Sequence, residues 1–138
     1  MDTIQAVVAE HLIEKKKLEN ITSCRIRNAL LLDELLSDIP QINLTKRSAN
    51  LKEVFHLYMF QTKKRDDLYK HLRDQDIDAK IHYPTPMHLQ PAARELGYKL
   101  GDFPVAESLA NLSISLPVHE FIDERKAEIM SKSIHSFF

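Results

Sequence analysis

The residue types best suited to bind another molecule are concentrated in one stretch, residues 81–90, reading IHYPTPMHLQ. His82, Tyr83, His88 and Gln90 can each donate or accept a hydrogen bond, and the two histidines can pair with an anionic group. Pro84 and Pro86 fix φ at two positions and push Tyr83 and Thr85 toward extended backbone, so the loop is stiff. A stiff loop is a good mount for a ligand contact. On composition alone, a plainer reading stands ahead of it: a proline-rich turn whose histidines pack or face water.

Other constellations are weaker. His82 and His88 lack a nearby cysteine or a helical partner four residues away, and no HExxH pattern occurs, which argues against a metal site. His11 and Glu14 share a helix face as a solvated pair. His56, inside a strand-like run, reads as a satisfied core histidine, whereas His71, His119 and His135 have no evident partner. The basic runs EKKK at 14–17 and KKR at 63–65 are each followed by acidic residues and read as solvated faces. Cys24 lies in a helical pattern with no companion to lower its pKa, so it is a poor nucleophile. The two glycines, Gly97 and Gly101, form no phosphate-cradling loop.

The elements that must position these groups are those of a single domain. The chain has 138 residues, 43% apolar and 28% charged, the proportions of an ordinary globular protein. Its net charge of -1 provides no field to draw it onto nucleic acid or anionic lipid, so neither is an expected partner. With Cys24 as the sole cysteine there is no intrachain disulfide, and a reducing compartment, the cytoplasm, is expected. No apolar run approaches the ~20 residues of a membrane helix, and the N-terminus lacks the layout of a signal peptide. The chain begins abruptly on an apolar helical stripe, Ile4, Val7, Val8 and Leu12, with no cap before it. That start suggests a missing upstream segment.

A second helical stripe comprises Ile26, Leu30, Leu32, Leu35 and Leu36, with Asn20, Thr22 and Ser23 as N-cap candidates and Pro40 as the stop. Residues 41–52 read as a polar connection. The run VFHLYMFQT at 54–62 predicts a buried strand, 68–72 a helix, and 79–83 a second strand ended by Pro84. Pro91 opens a short helix closed near Gly97, and Pro104 opens another through Leu112. Residues 113–116 predict a third strand, and 123–138 a final amphipathic helix using Ile129, Ile134 and Phe137. The class is α/β or α+β, a short three-stranded sheet packed with helices.

In order along the chain, MDTIQAVVA, VFHLYMF and IHYPTPMHLQPAARELGYKLGDFPVAESLANLSISLP resemble the C-terminal portion of the DegT/DnrJ/StrS aminotransferases, fold-type I enzymes that use pyridoxal 5'-phosphate. The specific part is the HYP-x-P-x-H-x-Q string followed by LGY and DFPxAE. The resemblance implies residues 1–40 as a helical segment bridging to a missing large domain and 41–138 as the C-terminal small domain. It implies transamination of a nucleotide-linked keto-sugar, with glutamate as amino donor, in surface-polysaccharide or deoxyamino-sugar biosynthesis, by a homodimer. The Schiff-base lysine and most phosphate contacts belong to the large domain, so the chain by itself is expected to bind no cofactor and to be inactive. His82, Tyr83 and His88 match the substrate-side loop, with no catalytic residue assigned. Asp76 stands where the family often has glycine, which puts the turn before the 79–83 run in question.

Two rival expectations belong to other classes. One is a non-catalytic binding or regulatory module that pairs with intact aminotransferase subunits. The other is a small stand-alone sugar-nucleotide binder that loses its ligand in a His82→Ala, His88→Ala variant.

Overall fold

Strand β2 (Tyr58–Thr62) organises the molecule because alternate residues Tyr58, Phe60 and Thr62 are all buried, the period-two pattern of a strand with one face on a core. The computed structural model describes residues 2–14 and 17–138. β2 lies at the centre of an antiparallel sheet ordered β1-β2-β3, with β1 (Ile42–Leu44) on one side and β3 (Ser113–Leu116) on the other. Phe60 stands opposite both Leu44 and Ile114.

Helix α2 (Lys17–Leu36), α3 (Arg65–Asp74) and α5 (Glu124–Phe137) cover this sheet. The core joins Ala29, Leu32 and Leu36 of α2, Leu68 and Leu72 of α3, Ile114 of β3 and Ile134 of α5 in one cluster. The C-terminal half of α2 therefore shares a core with the residues beyond position 41. The result is a mixed fold of helices on a three-stranded sheet, as the sequence implied, and the sheet is antiparallel.

Several elements differ in detail. The 54–62 run is a strand only from Tyr58, because Phe55 adopts φ 49°, outside the extended region. His56 beside it is exposed rather than a core histidine. The 79–83 run makes a single bridge, Lys80 to Ser115, instead of a strand. The third strand is instead β1, inside the stretch read as a polar connection. Its three residues are too few to show a period, and they are ordered by pairing with β2.

At the N-terminus, α1 (Thr3–Glu14) does have a cap. Asp2 accepts from the Gln5 N–H at 3.0 Å while the Gln5 side chain accepts from the Asp2 N–H at 3.2 Å, a reciprocal capping box. Asn20, Thr22 and Ser23 are not caps: α2 already runs through them, since a helix once nucleated tolerates their modest propensity cost. Of the EKKK run, Lys15 and Lys16 lie outside the described residues. Ile129 is exposed, so α5 turns Ala127, Met130 and Ile134 to the core in its place.

Asp76 keeps the geometry expected of a glycine. Its φ is 58°, its N–H donates to Arg73, and the Ile77 N–H donates to Leu72, which together close α3 in a Schellman motif. Aspartate is among the few residues that occupy this region readily. Pro91 and Pro104 open their segments as expected, a 3-10 helix at Pro91–Leu96 closed by left-handed Gly97, and α4 (Pro104–Leu112).

Candidate functional site

His82 is placed by the edge of β3. The Lys80–Ser115 bridge is closed by two backbone hydrogen bonds of 3.0 and 2.9 Å, and two residues later the His82 ring turns back onto the same serine. Its Nδ1 lies 2.7 Å from Ser115 Oγ, which is also 3.1 Å from the Lys80 carbonyl oxygen. His82 thereby lines a cleft of about 170 Å³ together with Arg25, Asp78, Lys80 and His119.

The charges around that cleft are already engaged. Arg25 donates from Nη1 to the carbonyls of Phe55 at 3.0 Å and His56 at 3.1 Å, holding the left-handed turn at Phe55. The Lys80 ammonium lies 2.8 Å from Asp78, which Arg73 also contacts. Lys80 foremost, then Arg73, hold the Asp78 carboxyl below the usual carboxylate range against the opposing effect of burial. Nε2 of His82 has no hydrogen-bond partner among the described residues.

Tyr83 and His88 have different surroundings. Tyr83 is 70% exposed and sets its ring edge-on to His82 at 5.6 Å. His88 turns inward: its side chain is only 8% exposed, Nε2 lies 3.0 Å from Glu107 Oε1, and its ring packs on Phe103 at 4.8 Å. The same Glu107 oxygen accepts from the N–H groups of Gly101 at 2.8 Å and Phe103 at 3.3 Å. Burial resists ionisation of Glu107, but these backbone donors and then His88 prevail and hold its carboxyl below the ordinary range. His88 thus tethers the 87–89 turn to α4 and is not among the residues lining the His82 cleft.

Glu107, Ser115 and Arg25 were not singled out from the sequence. Glu107 carried a readable signal, an acidic residue in the first turn after Pro104 that reaches back to the N-cap N–H. Ser115 and Arg25 carried none, because their partners lie 35 and 30 residues away.

Comparison with known proteins supplies the context. The DegT/DnrJ/EryC1/StrS aminotransferase family matches residues 1–134. The chain belongs to this family. It is 35% identical to the erythromycin biosynthesis sensory transduction protein EryC1 of Saccharopolyspora erythraea, over 93% of this chain and 34% of that protein. It is 33% identical to the dTDP-3-amino-3,4,6-trideoxy-α-D-glucose transaminase of Streptomyces venezuelae, over 92% of this chain and 33% of the enzyme. The crystal structure of S. venezuelae DesV in complex with a ketimine intermediate superposes with a TM-score of 0.85 at 30% identity, covering 91% of this chain and 34% of that one. The chain therefore spans about a third of the length of the relatives it matches.

Family membership makes pyridoxal phosphate the relevant cofactor, and the described residues do not fit it. A Schiff-base lysine must be enclosed so that its amine can lose its proton, and the phosphate needs convergent backbone N–H groups. Every described lysine is exposed. Lys80, nearest the His82 loop, is 53% exposed and paired with Asp78. No group of three or more metal-ligating side chains occurs among the described residues either. Nor, among them, is any helix long and apolar enough to cross a membrane.

Proposed function

We propose that this chain is the C-terminal small domain of a transaminase that aminates a nucleotide-linked keto-sugar, with glutamate as the amino donor, and that by itself it does not transaminate. The observation that carries this reading is the match of nearly the whole chain to about a third of a dTDP-sugar transaminase. In the complete homodimeric enzyme, bound pyridoxal phosphate supplies the electron sink for amino transfer. This chain contributes the stiff 81–90 loop, with His82 and Tyr83 toward the sugar and His88 holding the loop in place through Glu107. Within residues 1–40, α1 and the start of α2 bridge to the large domain while the C-terminal half of α2 packs into the core of the small domain formed with residues 41–138, and the enzyme works in the cytoplasm.

The test is direct. Mixed with pyridoxal phosphate, the purified chain should develop no Schiff-base absorbance in the visible range. A stoichiometric adduct on a single lysine, trapped by borohydride, would overturn the proposal.

One observation favours a second reading, that of a non-catalytic module pairing with intact aminotransferase subunits. None of the described residues of α1 is buried, yet Ile4, Val7, Val8 and Ile13 are all more than half exposed on it. Co-elution with a full-length family enzyme, abolished by Val7→Asp with Val8→Asp, is the expected outcome. A chain that elutes alone in the presence of that enzyme excludes this reading.

A further inference from the structure

The hydrogen-bond geometry fixes the ring protons of two histidines in opposite senses. At Ser115, the hydroxyl oxygen faces both His82 Nδ1 at 2.7 Å and the Lys80 carbonyl at 3.1 Å. Ser115 is 3% exposed, so solvent does not complete a bond that the protein leaves unmade. A hydroxyl has one proton to give. If that proton went to Nδ1, the hydroxyl oxygen would sit 3.1 Å from the Lys80 carbonyl oxygen, which already accepts the Ser115 N–H at 2.9 Å, and the two oxygens would meet lone pair to lone pair. If it goes to the Lys80 carbonyl, the His82 Nδ1–H donates to Ser115 Oγ and both contacts carry a proton. This second arrangement leaves Nε2 of the neutral ring as an acceptor.

His119 is set the other way. The backbone N–H of Phe121 lies 3.3 Å from its Nδ1 and donates to it, so the proton of the neutral ring sits on Nε2. Both rings line the same cleft. We propose that Ser115 is a positioning residue that holds His82 as the Nδ1–H tautomer, so that the cleft offers an acceptor from His82 and a donor from His119 to a hydroxyl group of a polyhydroxylated ligand. A hydroxyl both donates and accepts, whereas an ionised carboxylate or phosphate only accepts and would face the His82 lone pair. Asp78 balances Lys80, whereas Arg25 keeps its charge while Nη1 donates to two backbone carbonyls, so the preference for a hydroxyl rests on the two ring nitrogens, and the response to inorganic phosphate tests it. The tautomer assignment stands apart from the transaminase reading; the ligand class rests on it and narrows it.

Long-range proton–nitrogen correlation on the histidine-labelled full chain, at mildly alkaline pH, tests the assignment. His82 should show the Nδ1–H pattern and His119 the Nε2–H pattern. Ser115→Ala should release His82 toward the Nε2–H form with the circular dichroism unchanged, and Ser115→Thr should restore Nδ1–H. A wild-type His82 in the Nε2–H form, or a pattern unmoved by Ser115→Ala, overturns the positioning role whether or not the complete enzyme is a transaminase. Methyl α-D-glucopyranoside should then shift both Nε2 resonances, with a several-fold weaker response in Ser115→Ala. If inorganic phosphate shifts them and the glucoside does not, or if neither does, the hydroxyl assignment falls.

Discussion

Two parts of this molecule are held by different forces. The sheet with α2, α3 and α5 buries a continuous apolar cluster running in sequence from Ala29 to Ile134. None of the described residues 81–109, by contrast, is buried, although this stretch carries the family's most specific motifs. It is held by the Lys80–Ser115 bridge at one end and by the Glu107 hub at the other. Apolar burial makes the core cooperative, whereas a stretch held by a few polar tethers opens at lower cost.

Attacking the core should have the largest effect. Phe60→Ala, at the centre of β2, should cost about 3–5 kcal/mol through lost burial and the cavity left behind, read as a lower urea midpoint. A loss near zero would mean that the sheet is not the cooperative unit.

A smaller loss tests the polar seam at the margin of that core. Asp33 accepts two hydrogen bonds from Arg47, at 2.9 and 3.1 Å, and one from the buried Tyr58 hydroxyl at 2.9 Å, joining α2 to β2 and the 45–57 connection. Burial, and then the Asp33 charge, push the Tyr58 hydroxyl well above its ordinary pKa, so it remains a donor at any working pH. Tyr58→Phe should cost about 1.5–3 kcal/mol, because the bond it removes is made to a charged group.

Asp76→Gly should act in the opposite direction. It relieves a left-handed non-glycine residue but adds unfolded-chain entropy, and since aspartate tolerates this region the net gain should be only a few tenths of a kcal/mol, about 0.5 at most, seen as a slightly higher urea midpoint. Destabilisation would show that the aspartate side chain contributes more than its backbone costs.

Glu107→Gln separates the two regions. Amide exchange at Gly101 and Phe103 should speed up while the global midpoint stays put. Acid should mimic this variant. Because the folded pKa of Glu107 is depressed, its contribution is complete above the ordinary carboxylate range and is lost as pH falls through the folded value, below that range. Loop amides that exchange no faster than the core across that window would mean that the two regions open as one.

At the far end of α5 the sign reverses, and the effect should be the smallest. The Ser131 carbonyl foremost, then Asp38 at 3.0 Å, raise the pKa of His135. That link is complete below the ordinary histidine value and is lost as pH rises through the raised one, which should loosen the last turn of α5 in hydrogen exchange.

How much could be read in advance follows the range of the interactions. Pro104, Gly97 and the 113–116 alternation act over a few residues, and the corresponding elements formed where they were expected. The missed capping box of Asp2 and Gln5 was equally local and was open to reading. β1 was not, because its three residues become a strand only by pairing with partners 16 to 20 positions onward. The site divides the same way: the prolines announce the stiff loop, but nothing local reveals that His88 turns onto Glu107 while His82 turns onto Ser115.

The sequence by itself therefore determined the fold class, the family and the loop that bears the ligand-type residues, since periodicity and motif order are local or cumulative along the chain. Only the tertiary structure decided which histidine lines the cleft and what each ring bonds to. Those choices depend on contacts with Ser115 and the Phe121 N–H, and on a carboxylate that converging elements bring to His88.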